Sequence, residues 1–472
     1  MIVSRAFAER DVGVFGLARS GYSAIASLKS GGARVYAWDE SESARAPASD
    51  NGAVVAPFAS WPWERIKALV LSPGIPLTHP RPHEVVIAAR NAGADVIGDV
   101  ELFAREIRPQ TSEPGRAPVI AVTGTNGKST TTALIGHILT SCGFPAQVGG
   151  NIGKPALDLA APNGRTIYVL EISSYQIDLA PGFAPDIAVL TNISPDHLER
   201  HGSFENYAAV KARLLEQTSP EGDVVIGVDD STSAAIYSRL ALGRREQAIP
   251  VSVGKILGRG VFAVDGALYD AWNSRASKVM DLARATQLPG VHNWQNAALA
   301  YAAVKPIVQD PRAIASAIAS FPGLAHRIEE VARIGSVRFI NDSKATNADA
   351  AARALACFND IYWIAGGRPK EGGIESLLNY AKRIRKAYLI GEAAPEFARA
   401  LQSHVPFENT GTLDNAVASA FADASRSAAA APVVLLSPAC ASFDQFKDFE
   451  ARGERFRALA AELARFAQKE AS

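Results

Sequence analysis

Residues 121–130 read Ala-Val-Thr-Gly-Thr-Asn-Gly-Lys-Ser-Thr, and the fold of the surrounding chain follows from this stretch. The apolar run before it is typical of a buried strand, and apolar residues recur at helical spacing from 134 to 139. A strand, a short glycine loop and a helix that opens with Lys128 form a cradle for phosphate, because loop N–H groups and the helix dipole face the anion. The cradle predicts a nucleoside triphosphate site; a plain glycine turn before a helix is the alternative. Its expected nucleotide-binding residues are Gly124, Thr125, Asn126, Gly127, Lys128, Ser129 and Thr130.

Glu171 and His197 each follow an apolar run, 167–170 and 187–190, that predicts a further strand. Strands that alternate with helices indicate a parallel sheet, whose ligands gather at the carboxyl ends of the strands. A carboxylate beside a phosphate loop is a natural ligand for Mg2+, and a hydroxyl of the following helix is another. We therefore expect Glu171 to bind the metal, whereas His197 taken alone is more typical of a polar loop residue.

Composition excludes several classes of function. The chain has 472 residues, with 48 Lys or Arg and 48 Asp or Glu, so no net charge attracts nucleic acid. Charged residues precede any apolar stretch at the start, and no run reaches the ~20 apolar residues of a membrane span, so neither a signal peptide nor membrane insertion is expected. The three cysteines lack metal-ligand spacing and are expected to be reduced core residues. We expect a cytoplasmic monomer.

The first hundred residues predict a βαβ unit. An apolar run from 12 to 17 is followed by glycines, a helix, and a second strand from 34 to 38 that ends at Asp39. An acidic residue at that place can hold a ribose hydroxyl, although the glycine spacing only approximates the dinucleotide fingerprint. A nucleotide site and a plain strand–turn–helix therefore both stay open. The turn at Gly74 closes another predicted strand, placed like the loops that line such crevices.

The last third of the chain predicts another α/β unit, with strands near 337–340, 361–364, 387–390 and 433–436. Polar stretches follow the first two of these strands. Ser442 and Gln445 have the spacing of a capping box, which predicts a helix starting at Ser442. Three phenylalanines follow every third residue, and they are expected to share one side of that helix.

Taken together, these motifs resemble those of the Mur ligase family of peptidoglycan biosynthesis, in order over the whole chain. The stretches that carry the resemblance are 124–130, 171–174, Asp196-His197, His292-Asn293 to Asn296, His326-Arg327, 341–347 and the tail 436–450. The tail resembles that of the members that add D-glutamate. The resemblance implies three α/β domains: an N-terminal Rossmann-like domain over 1–100, a central P-loop ATPase-like parallel sheet over 101–323, and a C-terminal α/β domain over 324–472.

The implied activity is ATP-dependent joining of D-glutamate to UDP-N-acetylmuramoyl-L-alanine through an acyl phosphate, with ATP and Mg2+ as cofactors. A carboxylate is a poor electrophile, so phosphorylation by ATP must first give it a leaving group. By resemblance, the residues that carry the chemistry are Lys128, Glu171, His197 and Lys211, and the metal ligands are Ser129, Glu171, His197 and Lys211. The same resemblance places the nucleotide on Asn296, Arg327 and Asp342.

Lys211 is singled out by the resemblance and not by its helical spacing. From spacing alone it reads as a solvated helix lysine. It lies 14 residues after His197, where the resembling family carries a carbamylated lysine that ligates a second magnesium. A lysine ammonium that loses its proton can add carbon dioxide as the neutral amine and release a second proton, so a positive side chain becomes a negative carbamate, which a neighbouring cation favours.

The resemblance also implies the substrate contacts. The nucleotide sugar is expected on the first domain and on Asn151, and the amino acid on the third. The complete set of substrate-binding residues is Ser20, Gly21, Asp39, Gly74, Asn151, Lys344, Thr346, Lys370, Ser442 and Phe449.

Three other functions compete with a Mur ligase. A folate-glutamate ligase shares the phosphate loop, but neither the glycine-turn first domain nor the tail favours it. An oxidoreductase would use the first domain for a dinucleotide and leave the phosphate loop unexplained. A switch or motor NTPase would hydrolyse ATP without an amino acid, which makes it easy to distinguish from a ligase.

Overall fold

The computed structural model describes residues 1–107, 117–369 and 372–470. The described chain divides into two compact units, residues 1–284 with 293–321, and residues 285–292 with those from 322 onward. Most of the connection expected between Glu106 and Pro118 lies outside the described residues, as does Lys370. Three sheets with helices between their strands confirm the α/β prediction.

The first sheet contains five parallel strands in the order β3-β2-β1-β4-β5. Its strands are β1 Asp11–Phe15, β2 Arg34–Trp38, β3 Val54–Val55, β4 Ile66–Leu71 and β5 Asp95–Ile97. Its helices are α1 Arg19–Ser30, α2 Ala46–Asp50, α3 Glu84–Asn91 and α4 Asp99–Ile107. The strand order reverses direction at β1 and β4, so the loops after these two strands form the crevice in which such sheets bind ligands.

The second sheet has nine strands in the order β14-β13-β12-β11-β10-β9-β6-β8-β7. They are β6 Val119–Thr123, β7 Ala146–Gly150, β8 Ile167–Glu171, β9 Ile187–Leu190, β10 Asp223–Gly227, β11 Ala248–Val253, β12 Gly260–Val264, β13 Ala267–Ala271 and β14 Ser277–Asp281. Strand β13 pairs antiparallel with both β12 and β14, and the other neighbouring strands pair parallel. Fully buried β6 lies between β8 and β9, so the phosphate loop and Glu171 share one edge of the sheet.

The helices associated with the second sheet are α5 Lys128–Ser141, α6 Ser174–Asp178, α7 Leu198–His201, α8 Phe204–Glu216, α9 Ser231–Ala241, α10 Val291–Val304 and α11 Pro311–Ala319. Short 3-10 helices among the described residues span Glu42–Ala44, Phe58–Ser60, Ala156–Asp158, Leu282–Arg284 and Glu375–Arg383. Helix α5 begins at the predicted Lys128 and stops just before Gly143, whose φ of 85° suits glycine.

The first and second sheets are joined by hydrogen bonds inside the same compact unit. The Gly98 N–H donates to the Leu179 carbonyl (2.7 Å), and the buried Glu101 carboxylate accepts from the Gly182 N–H (2.8 Å). Ser23 of α1 also donates to the Asp158 carboxylate (2.7 Å). Polar groups at this junction are therefore paired on burial, as a stable interface requires.

The third sheet lies in the second unit, with strand order β15-β16-β20-β17-β18-β19. Its strands are β15 Glu329–Ile334, β16 Val337–Asn341, β17 Ile361–Gly366, β18 Ile384–Ile390, β19 Phe407–Gly411 and β20 Val433–Leu436. Its helices are α12 Ala348–Cys357, α13 Ala394–Leu401, α14 Leu413–Ser425 and α15 Phe449–Glu470. Only β15 pairs antiparallel, so polar residues after β16, β17 and β20 emerge at one edge.

The three cysteines differ in burial. Cys440 is buried as expected, but Cys142 and Cys357 are only partly buried, so the prediction of three core cysteines is wrong for those two. Both lie at helix ends, where the chain leaves the core. Within the described ranges, no helix is long and apolar enough to cross a membrane.

Gly21 is expected to be a packing requirement of the first sheet. A Cβ there would lie 2.1 Å from the carbonyl oxygen of Gly16, where α1 crosses the loop after β1. Gly21→Ala gains up to about 1 kcal/mol of helix propensity, but overpacking against backbone costs more, so we expect a net loss of about 2 kcal/mol. Urea unfolding measures it. Gly243→Ala is the control, because a Cβ there meets no atom within 4 Å; equal effects of the two substitutions would contradict the packing argument.

Candidate active site

The glycines of the phosphate loop have no room for side chains. Gly124 and Gly127 have φ of 142° and 83°, which L-residues rarely adopt. A Cβ would lie 1.9 Å from the Thr191 hydroxyl oxygen at Gly124, and 2.3 Å from Asn296 Oδ1 at Gly127. The short loop is therefore pressed between the segment after β9 and helix α10.

The segment after β9 also holds the loop by hydrogen bonds. The N–H groups of Thr125 and Asn126 donate to the backbone carbonyl (2.8 Å) and the side-chain oxygen (3.0 Å) of Asn192. The Thr191 hydroxyl donates to the Asn126 carbonyl (2.6 Å). Because those two loop N–H groups are already bonded, the first turn of α5 is the part of the motif suited to an anion, with its dipole. Sequence reasoning had assigned that role to the loop N–H groups as well.

Asn296 of α10 packs against Gly127 of the phosphate loop. Its side chain is buried, accepts from the Thr131 hydroxyl (3.3 Å) and donates to Asn293 Oδ1 (2.9 Å). Both amides lie on one face of α10, as their spacing of three residues predicts.

Two lysines converge on one carbonyl oxygen. Gly124 accepts from Lys128 Nζ (3.0 Å) and from Lys211 Nζ (2.8 Å). Lys211 projects from α8, is only 1% exposed, and has its Nζ 4.6 Å from the centre of the Tyr207 ring. Burial, reinforced by the positive charge of Lys128, holds the pKa of Lys211 well below its usual range. The reading of Lys211 as a solvated surface lysine, which spacing alone favours, is wrong.

Glu171 has a half-satisfied carboxylate at the end of β8. It is 2% exposed, and its Oε1 accepts from the side-chain amide of Asn151 (2.9 Å). Its Oε2 is buried with no hydrogen-bond partner among the described residues. A buried carboxylate oxygen left in this way is costly, and a cation would satisfy it. With buried Ser129 in the first turn of α5, the donor set fits Mg2+.

His197 lies in the segment between β9 and α7. It has φ of 53°, precedes helix α7, and its half-exposed ring lies 3.4 Å from Asp196 and 3.8 Å from Glu199. In the part of the chain that the structure describes, no group of three or more His, Cys, Asp or Glu side chains could hold a metal. His197 is thus an exposed side chain with acidic neighbours, whereas Glu171 is buried.

The predicted sugar-site residues meet at the carboxyl edge of the first sheet. Asp39 accepts from the N–H groups of Leu17 (2.6 Å) and Ser41 (2.8 Å), so it braces the loop after β1. Ser20 and Gly21 lie in the first turn of α1. Gly74 follows β4, and its carbonyl accepts from Arg200 (2.6 Å).

In the second unit, the predicted residue Asp342 has a strongly shifted pKa. Its carboxylate is buried and accepts from the Ser437 hydroxyl (2.8 Å) and the Ile328 N–H (3.2 Å). Burial raises the pKa of Asp342 to about 7, against the lowering effect of these bonds and of the Arg327 charge. The group is thus a carboxyl that titrates near neutrality.

The predicted amino-acid residues lie at the ends of β16 and β20. Lys344 has its Nζ 3.7 Å from the centre of the Phe449 ring, which joins two of them by a cation–π contact. Thr346 is half-buried two residues further on, and Ser442 is buried. Lys370 is outside the described residues.

The capping box at Ser442 is a wrong prediction. Helix α15 begins at Phe449, and Asp448 accepts from the Ala451 N–H (2.7 Å) as its cap. The Gln445 side chain instead donates to the Gly411 carbonyl (2.8 Å), so tertiary contacts take the group that the box needs. Phe443 is exposed while Phe446 packs partly into the core, so the phenylalanines share no helix face.

Arg452 is a residue that sequence reasoning missed. It is 1% exposed and donates to the Ser343 hydroxyl (3.0 Å) and to the carbonyls of Ser343 and Cys440 (both 3.0 Å). It thereby ties the loop after β16 to the loop after β20. Its position in a helix rich in charged residues gave no signal of burial.

Comparison with known proteins agrees with this arrangement. The chain matches the Mur ligase middle domain over residues 122–304 and the Mur ligase glutamate ligase domain over residues 326–440. It belongs to the Mur ligase family. It is 51% identical over 464 residues to the UDP-N-acetylmuramoylalanine–D-glutamate ligase of Phenylobacterium zucineum, covering 98% of both chains. It is 51% identical over 458 residues to the enzyme of the same name from Caulobacter vibrioides, covering 97% of both.

The fold itself is similar to a solved structure. The UDP-N-acetylmuramate–alanine ligase of Thermotoga maritima superimposes with a TM-score of 0.58 at 17% identity, covering 96% of this chain and 99% of that one. At this identity the likeness concerns the three-domain fold alone.

Asp342 should make stability depend on pH. Its folded pKa of about 7 lies above the ordinary 3.8, so across that window the folded state holds a proton that the unfolded state has released. Stability from this group is present at acidic pH and is lost as pH rises toward about 7. Asp342→Asn stays neutral, so its unfolding free energy should fall by ~4 kcal/mol less than that of the wild type over this range, at about 1.4 kcal/mol for each pKa unit. Chemical unfolding at several pH values measures both curves; parallel curves would contradict the assignment.

Proposed function

We propose that the protein joins D-glutamate to UDP-N-acetylmuramoyl-L-alanine at the expense of ATP, through an acyl phosphate. The observation that carries the proposal is the shared carboxyl end of two neighbouring strands: β6 leads through the phosphate loop and Lys128 into α5, and β8 ends at Glu171, whose carboxylate keeps one oxygen unbonded. The names of relatives about 51% identical over nearly the whole chain supply the substrates. Phosphoryl transfer depends on positioning and charge stabilisation, which this edge provides.

Each group expected to bind ATP or Mg2+ has a proposed role. The first turn of α5 and Lys128 hold the ATP phosphates, while Asn296 keeps the loop in shape for them. Arg327 and Asp342 are proposed to contact the nucleotide. A bound Mg2+ would neutralise phosphate charge, with Ser129 and Glu171 holding one ion, and His197 and a carbamylated Lys211 holding a second. These ligand assignments rest on family membership together with the donor chemistry described above.

The substrates have proposed places at the other two sheet edges. The nucleotide sugar lies along Ser20, Gly21, Asp39 and Gly74, with Asn151 near its reactive end. D-glutamate brings two carboxylates, so two binding groups are needed for one orientation of its amine. Lys344, Thr346 and Lys370 are proposed for the α-carboxylate, and Ser442 with Phe449 for the side chain. The cation–π contact between Lys344 and Phe449, one residue from each proposed group, supports this assignment.

Amino-acid-dependent phosphate release from ATP tests the function. With UDP-N-acetylmuramoyl-L-alanine present, D-glutamate should support release, while L-glutamate, L-alanine and diaminopimelate should be poor, because the two fixed carboxylates orient only one enantiomer. Lys128→Ala should lower the rate by ~100-fold or more, the scale of about 3 kcal/mol for a lost charge contact in the transition state. Lys278→Ala is the control, an exposed lysine on edge strand β14.

Release without any amino acid would favour a switch or motor NTPase instead. Equal rates with L- and D-glutamate, or a preference for diaminopimelate, would contradict the specificity.

Lys211 should carry a carbamate in the active protein. Its buried amine with a lowered pKa is suited to take up carbon dioxide. Bicarbonate labelled with carbon-13 should give a carbamate NMR signal in the wild type and in Lys128→Ala, and none in Lys211→Ala. Lys211→Ala should lose activity, with partial rescue by a short carboxylate added to the buffer. Full activity of that variant, or a signal that follows Lys128 instead, would refute the assignment.

A further inference from the structure

Arg200 binds three successive backbone carbonyls. It lies in α7, three residues after His197, and its guanidinium donates to the carbonyl oxygens of Pro73 (3.2 Å), Gly74 (2.6 Å) and Ile75 (2.9 Å). A planar guanidinium can satisfy several acceptors at fixed angles, whereas a lysine ammonium cannot reproduce that geometry. The three carbonyls belong to the loop after β4, in the first sheet.

The same guanidinium lies over an aromatic ring of the second sheet's layer. Its Cζ is 4.6 Å from the centre of the Tyr175 ring. Tyr175 is in α6, four residues after Glu171, and its ring centre is 5.0 Å from that of His197 and 5.6 Å from that of His201. The ring therefore contacts the α7 turn from the end of β8. Arg200 connects this turn to the loop at 73–75.

The loop at 73–75 forms one wall of the crevice in the first sheet. The loop follows β4. Ser72, the residue before it, packs closely on the loop after β1, because a Cβ added at Gly16 would lie 2.4 Å from the Cβ of Ser72. A shift of Arg200 would therefore be transmitted to both loops at which the strand order reverses. On the other side, the turn that carries Arg200 also carries His197.

We propose that Arg200 is a positioning residue for the nucleotide-sugar substrate, acting through the carbonyls of 73–75 and the Tyr175 ring. It fixes the sugar-binding loops relative to the phosphate edge of the second sheet, so that the substrate carboxylate meets the terminal phosphate of ATP. This inference rests on the proposed function. Because rates fall steeply with misplacement of reacting groups by ~1 Å, a link of this kind has a measurable effect without touching substrate.

The test compares Arg200 with a second arginine that binds backbone carbonyls in the same way. Arg244 donates to the carbonyls of Thr218, Ser219 and Gly222 within the second sheet's layer. We expect Arg200→Lys and Arg200→Ala to raise the KM for UDP-N-acetylmuramoyl-L-alanine about tenfold, with the KM for ATP changed less than about twofold. Arg244→Lys should lower the thermal unfolding midpoint to a similar extent but leave both KM values in place.

Two further variants examine the aromatic contact. Tyr175→Phe keeps the ring and should behave as the wild type, whereas Tyr175→Leu should raise the KM for the sugar. Combining Tyr175→Leu with Arg200→Ala should give less than the product of the two effects, because both break one link.

An unchanged KM for the sugar in Arg200→Ala, an equal rise in the KM for ATP, or the same effect from Arg244→Lys would overturn the proposal. Calorimetric measurement of UDP-N-acetylmuramoyl-L-alanine binding in the absence of ATP distinguishes a failure of the Arg200 proposal from a failure of the proposed function. Wild-type binding without D-glutamate-dependent phosphate release would contradict the proposed function, while weaker binding by Arg200→Ala than by Arg244→Lys would still support the link.

Discussion

The carbonyl oxygen of Gly124 is the point at which the chemistry of the second sheet is organised. Two lysine amines donate to this one oxygen, and one of them is enclosed by protein. Two full positive charges so close together are unfavourable, and the buried amine is the one whose charged form is disfavoured. The geometry of the phosphate loop, the position of α8 and the protonation state of the Lys211 amine are therefore coupled. A change in any of them alters the other two.

The position of this carbonyl follows from the order of the strands. Because β6 lies between β8 and β9, the loop after it receives a carboxylate from one neighbour and a polar segment from the other. The polar segment uses its side chains to hold the loop, so Asn192 and Thr191 contribute shape instead of direct binding. The carboxylate keeps one oxygen unsatisfied. A parallel sheet thus separates the structural and the ligand-directed groups onto different neighbours of the same loop.

Sequence reasoning succeeded where short apolar runs end in polar or glycine residues. Strands β2, β9 and β20 have the boundaries that their apolar runs predict, since a buried strand leaves little freedom in its pattern. It failed where distant contacts decide. The box at Ser442 is locally sound, yet Gln445 bonds to Gly411 and the helix starts seven residues later. Lys211 looks like a surface residue in sequence, because its burial depends on the Tyr207 ring and a loop 87 residues away. The family resemblance, and not the helical pattern, singled it out.

The hydrogen bonds between the first two sheets bear on how the molecule comes apart. The buried Glu101 carboxylate accepts from the Gly182 N–H with one oxygen and from Arg105 with the other. Gly98 and Ser23 donate to acceptors that follow strands of the second sheet. Unfolding the first sheet alone would strand these groups, including a buried carboxylate, on the surface that remains. Residues 1–284 and 293–321 should consequently unfold as a single cooperative block despite containing two sheets, and the first sheet is not expected to stay folded as an isolated fragment.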